Sequence, residues 1–338
     1  MWKWVKMSAD KVDRQKRDIE SGKAGEERGN EYMKKRKGKA GLKKTLTLTG
    51  MALPASVILF IFSYVPIAGL IIAFKDFRYD KGFLGSEWVG LKNFEFFFKS
   101  NDAWLVLKNT VGLNLMFIFI TLIISVAVAL MINEIRSRVA VKFIQTVMFF
   151  PYFMSWVVVG YLLYAYLHHD YGILNQILQF FGMKSIAWYA QAEYWPAILT
   201  FMYAWKVAGY YAVIYYAGLM GIDNSYYEAA ELDGATKWQM IWNITLPMIR
   251  SIIICMVILQ IGRIMYADFG LFFQLTRDQG ALYSTTNVLD TYIFRALRVT
   301  GDIGIGSAVG CFQAVVGFIL IMVSNLVVRK IDEESALF

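Results

Sequence analysis

Two basic residues sit far inside long apolar runs, where an unpaired cation is costly and so marks a functional position. They are Lys206, in Tyr203-Ala-Trp-Lys206-Val-Ala-Gly-Tyr210, and Arg263, in Gln260-Ile-Gly-Arg263-Ile-Met-Tyr-Ala267. Read as helices, the first run puts Tyr203, Lys206 and Tyr210 on one face, and the second does the same for Gln260, Arg263 and Ala267. Counted from Met220 and Pro247 at about 1.5 Å per residue, the two cations lie about 21 and about 24 Å from one end, at similar depth. Such rows suit a sugar, because cations and an amide bond hydroxyls or carboxylates while tyrosine rings cover apolar C–H faces. A carboxylate-bearing solute would balance any positive charge left over. The competing reading is structural, with Asp268 pairing with one of the two bases.

Other chemistry is sparse. No Gly-x-x-x-x-Gly-Lys-Ser/Thr loop is present to cradle phosphates, and Gly22-Lys23-Ala24 and Gly38-Lys39-Ala40 lack the leading glycine and the hydroxyl residue. His168 and His169 are neighbours, point about 100° apart on a helix and cannot share one metal. Cys255 and Cys311 lie in apolar runs and form neither a zinc spacing nor a disulfide framework. No nucleophile–base pair stands out, so no catalytic residue and no bound cofactor or metal is expected.

One polar connection, 221–247, carries the remaining pattern. Ser225-x-x-Glu228 reads as a capping box that starts a helix. Gly234 suits the left-handed turn that ends it. Thr236 and Gln239 form a second box, and Pro247 suits the first turn of the next apolar helix. Ala229 and Ala230 would leave a shallow patch for another protein's surface.

The elements that must position these groups follow from composition. Of 338 residues, 57% are apolar and 18% charged, and mean hydropathy is +0.46. A soluble domain carries roughly 25% charged residues, so this chain belongs in a bilayer. The 25 Phe, 20 Tyr and 10 Trp exclude disorder. About 20 apolar residues span a bilayer, and six windows qualify: 51–74, 107–131, 142–167, 194–220, 248–273 and 307–328. The expected fold is therefore an all-α integral membrane protein of six transmembrane helices. Residues 1–50 hold 15 Lys+Arg against 7 Asp+Glu, so the whole net charge of +8 sits in that tail. A polybasic run before an apolar helix reads as a cytoplasmic anchor on anionic lipid rather than a nucleic-acid site. Six spans then return the short tail 331–338 to the cytoplasm, and place 221–247 there too. Gly306, Gly310 and Ala314 recur at the small-residue spacing of close helix contacts.

The connection 221–247 resembles the signature loop of the inner-membrane permeases of binding-protein-dependent ABC importers. Glu228-Ala229-Ala230, three residues, Gly234, nine residues and Ile244-x-Leu246-Pro247 match every fixed position and both gaps. Trp88-Val-Gly90-Leu91-Lys-Asn93-Phe94 and Asn109-Thr110 are similar to segments of the carbohydrate-uptake permeases. Gly172-Ile-Leu-Asn175 and Asp290-Thr291-Tyr292 are similar to their polysaccharide and complex-oligosaccharide branch, related to the maltose-transporter permeases. The resemblance covers about residues 50–330. It implies the ABC type I importer permease fold with a helix-turn-helix coupling loop, in which Glu228, Ala229, Ala230, Asp233, Gly234 and Ala235 dock on an ATPase. It further implies a second homologous permease, two cytoplasmic ATPases holding ATP and Mg, and an external solute-binding protein. Tyr203, Lys206, Tyr210, Gln260 and Arg263 become the expected solute path, with an oligosaccharide, acidic or complex ones among them, as solute. An ABC permease for another solute class is the nearest alternative. An ion-coupled carrier is less favoured, because only Asp268 offers a mid-membrane carboxylate.

Overall fold

A computed structural model describes residue 45 and residues 47–331. Apart from residues 45, 47–50 and 331, the two expected tails lie outside the described residues. The chain divides into two compact units, 1–69 and 70–338.

Among the described residues four helices are long and apolar enough to cross a membrane, and counting each of two bent pairs as one span gives up to six. In chain order the elements are α1 (Thr47–Phe74), α2 (Asn101–Asn133), the bent pair α3 (Arg138–Phe153) and α4 (Trp156–Leu167), and α5 (Trp195–Leu219). Then come α6 (Ser225–Leu232), the bent pair α7 (Lys237–Met248) and α8 (Arg250–Ile261), α9 (Phe269–Thr276) and α10 (Ile303–Ile331).

Two expected spans are broken. The third window turns by 94° between α3 and α4. Pro151 removes an amide donor near the end of α3, and the Ser155 hydroxyl accepts from Val158 N at 3.3 Å to start α4 afresh. The fifth window ends as a helix at Ile261, and the chain runs unwound until Asp268 caps α9 by accepting from Leu271 N at 3.3 Å. Pro247 also falls in a different place from the one expected. It lies near the end of α7, and α8 begins at Arg250 after a bend of 59°.

The elements of the second unit close on three apolar clusters. One gathers Phe117, Trp195, Leu199, Leu271, Phe272 and Leu275, where α2, α5 and α9 meet α4. A second packs Phe97, Val106, Met265, Leu289 and Val309, and a third packs Ala129, Tyr215, Leu219 and Ile249. The close backbone approaches are not made by the Gly306-Gly310-Ala314 row. Only Gly306 packs tightly, on Leu297, and a Cβ on Gly310 would meet nothing within 4 Å. Gly209 makes the tightest helix contact, since a Cβ there would fall 2.1 Å from the Met148 carbonyl oxygen and force α5 off α3.

The polar residues outside the signature loop act as pins. Asn93 donates to the carbonyls of Ala73 and Lys75, both at 2.9 Å, beside the two-stranded β1 (Lys75–Asp76) and β2 (Glu87–Trp88). Asn109 donates to Ser284 O and Asn287 O, and Thr110 Oγ1 accepts from Leu289 N at 2.9 Å, so α2 anchors the connection 274–306. Asp290 accepts from Ala267 N at 2.7 Å and from Gln313 at 3.1 Å, joining the unwound stretch after α8 to α10.

Candidate functional site

The segment 221–247 builds an exposed knob. The Ser225–Glu228 box does not form: Asn224 is the N-cap position, and Asp223 accepts from Ser225 N at 2.9 Å. That amide bond and the Ser225 hydroxyl hold the Asp223 carboxyl below the usual carboxylate range. Glu228 is left exposed in the first turn, with no side-chain bond inside the described chain. The far end of α6 agrees with expectation. Gly234 has φ +78°, its N donates to Glu231 O at 3.0 Å, and Ala235 N donates to Ala230 O at 2.9 Å. Those two bonds are a Schellman closure, which ties Ala230 to the turn at Gly234. The second box, Thr236 with Gln239, is present.

The knob is tied down behind and bare in front. Lys237 is ion-paired to Glu134 at the end of α2, and Tyr227 OH meets Thr245 Oγ1 at 3.0 Å. Leu246 packs on the cluster around Tyr215 and Ile249. On the free side Ala229, Glu231, Asp233 and Gly234 are exposed, with Leu232 exposed by 90%. A solvated apolar tip flanked by carboxylates on a rigid turn is a shape for docking, not for holding a core.

The two cations of the apolar runs have different surroundings. Lys206 is 8% exposed. Its ammonium donates to the carbonyls of Pro151 (3.2 Å), Tyr152 (2.9 Å) and Met154 where α3 stops, and Pro151 O also accepts from Met154 N at 3.1 Å. Those three bonds use all three of its donors. It also lies 5.0 Å from the centre of the Trp156 ring. Asp268 pairs with neither base among the described residues. It caps α9 and accepts from Trp156 Nε1 at 2.6 Å, so α4 and α9 start from a shared bond.

Arg263 is exposed and unpaired among the described residues, on the unwound stretch after α8. The break takes Ala267 off the face it was expected to share with Gln260 and Arg263, and removes the straight-helix basis of the 24 Å depth. Tyr203 and Tyr211 lie within electrostatic reach of Arg263. Tyr203 stacks on Phe117 with ring centres 4.7 Å apart, and Tyr210 stacks on Tyr152 at 4.8 Å. Gln260 donates to Met256 O at 3.4 Å, and its Oε1 is buried without a partner. Sequence reasoning missed Tyr152, Trp156 and Tyr211. The Pro151 to Ser155 interval, a proline followed by a cap residue, was the available signal. Among the described residues no cluster of His, Cys, Asp or Glu has metal-binding geometry.

The profile of the family described as "Binding-protein-dependent transport system inner membrane component" matches residues 118–333. The chain belongs to this family. The permease is 36% identical over 285 residues to the polygalacturonan/rhamnogalacturonan transport system permease protein YteP of Bacillus subtilis, covering 84% of this chain and 88% of that one. It is 23% identical to the trehalose/maltose transport system permease protein MalF of Thermococcus litoralis, over 83% of this chain and 92% of that one. Among solved structures it resembles a bacterial ABC transporter involved in import of the acidic polysaccharide alginate. There the TM-score is 0.78 at 33% identity, covering 86% of this chain and 97% of that one. A second structure of the alginate transporter, also at TM-score 0.78, holds a periplasmic protein bound to an alginate pentasaccharide. The permease is thus a membrane transport subunit that works with a binding protein, and ATP hydrolysis lies on separate subunits.

Proposed function

We propose that this permease forms, with a second homologous permease and two ATPases, an importer of oligosaccharides that accepts acidic ones. An external protein delivers the solute. The knob at Glu228, Ala229, Ala230, Asp233, Gly234 and Ala235 docks on an ATPase and couples its closure to the helices, and both termini face the cytoplasm. ATP and Mg would sit on the ATPases alone.

The observation that carries the solute class is Arg263, unpaired among the described residues and within electrostatic reach of Tyr203 and Tyr211, in a chain that matches an importer of an acidic polysaccharide along 86% of its length. A guanidinium offers a planar fork to a carboxylate, and tyrosine rings accept the apolar face of a sugar. Lys206 has a different part in this reading. It holds the broken third span so that Tyr152 and Tyr210 keep their places along the path.

The test is uptake into proteoliposomes by the assembled transporter. Trigalacturonate and its carboxyl-reduced neutral analogue are compared at saturating loaded binding protein. Arg263→Gln should lower the maximal rate for the acidic sugar about tenfold relative to the neutral one, equivalent to about 1.4 kcal/mol. Equal losses for both sugars would make Arg263 structural. Transport by this polypeptide alone, without ATPases, would overturn the whole reading.

A further inference from the structure

A polar pocket that Arg263 does not line lies between α4 and the end of α9. It is a cleft of about 250 Å³ walled by Tyr161, Gln274, Arg277 and Gln279, with Val157, Gly160 and Phe273 at its base. Cavities of roughly 300–1,000 Å³ take drug-sized ligands, so this one has room for a single ring. Gly160 makes the recess possible by letting α4 lie against the backbone of Gln274, where a Cβ would come within 2.8 Å.

Its polar side chains have no hydrogen-bond partners among the described residues. None of the side chains of Gln274, Arg277 and Gln279 makes a hydrogen bond or ion pair within the described chain. The Arg277 guanidinium is instead held between two rings, 4.2 Å from the centre of Tyr164 and 5.7 Å from that of Tyr161. Cation–π contact fixes the plane of the fork and leaves its N–H donors free. The adjacent carboxylate does not cancel it, because Asp278 is bound to Arg295 at 2.7 Å and to Tyr283 OH at 3.1 Å. The backbone is left-handed at both of these consecutive residues, with φ +55° at Arg277 and +49° at Asp278. Non-glycine residues adopt that region rarely, and ligand sites are where such conformations collect. Tyr161 is 65% exposed and offers an open ring face beside the guanidinium.

We propose that this cleft is a second sugar subsite, which takes one anionic ring of the oligosaccharide before it reaches Arg263. The carboxylate would lie on Arg277, the amides of Gln274 and Gln279 would take hydroxyls, and the apolar ring face would rest on Tyr161. The subsite lies beside the connection 274–306, which faces outward in the orientation proposed above. The inference rests on the oligosaccharide reading, and it predicts a different kinetic signature from that of Arg263. A receiving subsite changes how readily solute is accepted, not how fast bound solute moves on.

The experiment varies the concentration of loaded binding protein outside proteoliposomes that hold the complete transporter. Arg277→Gly removes the charge at a φ that glycine adopts freely, so it adds no strain. Tyr161→Ala removes the ring at an exposed position. Each should raise the half-saturating concentration for trigalacturonate about tenfold relative to its carboxyl-reduced analogue, while the maximal rate stays within twofold. Equal shifts for both sugars, together with weaker attachment of the unloaded binding protein, would make the cleft a protein-docking surface and overturn the proposal. An Arg277→Gly effect that disappears when anionic lipids are replaced by phosphatidylcholine would assign the cleft to a lipid headgroup. If the wild-type transporter moves neither sugar, the oligosaccharide reading fails, and this inference fails with it.

Discussion

Lys206→Met should lower the melting temperature and the membrane abundance of the assembled transporter sharply, and should do so whichever solute is present. The ammonium closes the backbone at the 94° break, where the carbonyls of Tyr152 and Met154 have no helical amide to meet and that of Pro151 accepts from Met154 N alone. Each buried acceptor left unmade costs about 1–3 kcal/mol, and in a bilayer there is little water to replace the donor. With two acceptors left bare, the loss should therefore be at least about 2 kcal/mol, a large part of a typical folding free energy of about 5–15 kcal/mol. Lys206→Gln keeps two donors on a shorter stem and should fall between the wild type and the methionine variant. Lys206→Arg should also be harmful, because a planar fork cannot direct its donors as three convergent ammonium protons do. Thermal unfolding of the purified complex and membrane abundance check this directly. Wild-type stability with a selective loss of acidic-sugar uptake would instead place the ammonium in the solute path.

How far this arrangement was legible depends on what kind of partner each residue has. The apolar windows found the four straight spans and overlap both bent pairs, because hydropathy depends on composition, and a broken span has nearly the same composition as a straight one. The breaks are a matter of backbone bonding, and Pro151 with Ser155, or Gly262 with Asp268, signals one only when two weak cues are read together. Lys206 was legible as costly, but its partners are backbone carbonyls some fifty residues away, which no inventory of side chains contains. Asp268 looked like a counter-ion and is a cap, because its own helix start and the Trp156 indole already occupy both oxygens. At the signature loop, local rules sufficed where one residue had one role, as with Gly234 and the Thr236–Gln239 box. They failed where two residues competed: Asp223 stands two positions ahead of Ser225 and takes its amide, so Glu228 has nothing to cap.

That competition sharpens the last expectation, because it leaves Glu228 and Gly234 with separable tasks. Glu228→Ala removes an exposed carboxylate that bonds nothing in the described chain, so the fold should change in stability by no more than about 0.5 kcal/mol. If the knob docks on an ATPase, the same change should abolish most of the ATP hydrolysis stimulated by loaded binding protein. Gly234→Val acts on conformation alone. A Cβ at that position meets no atom within 4 Å, but φ is +78°, and a β-branched residue there costs about 1–2 kcal/mol or more. The closure at Ala230 and Ala235 would open, the tip carrying Leu232 and Asp233 would move, and stimulated hydrolysis should fall at least tenfold with solute binding to the external protein unchanged. The measurement is stimulated ATP hydrolysis by reconstituted transporter, read beside the ATPase content of the purified complex. A glycine variant that loses the ATPase on purification and an alanine variant that keeps it, uncoupled, would assign shape to Gly234 and signal to Glu228. Undiminished stimulation in both would reduce the knob to a structural turn and remove the coupling role.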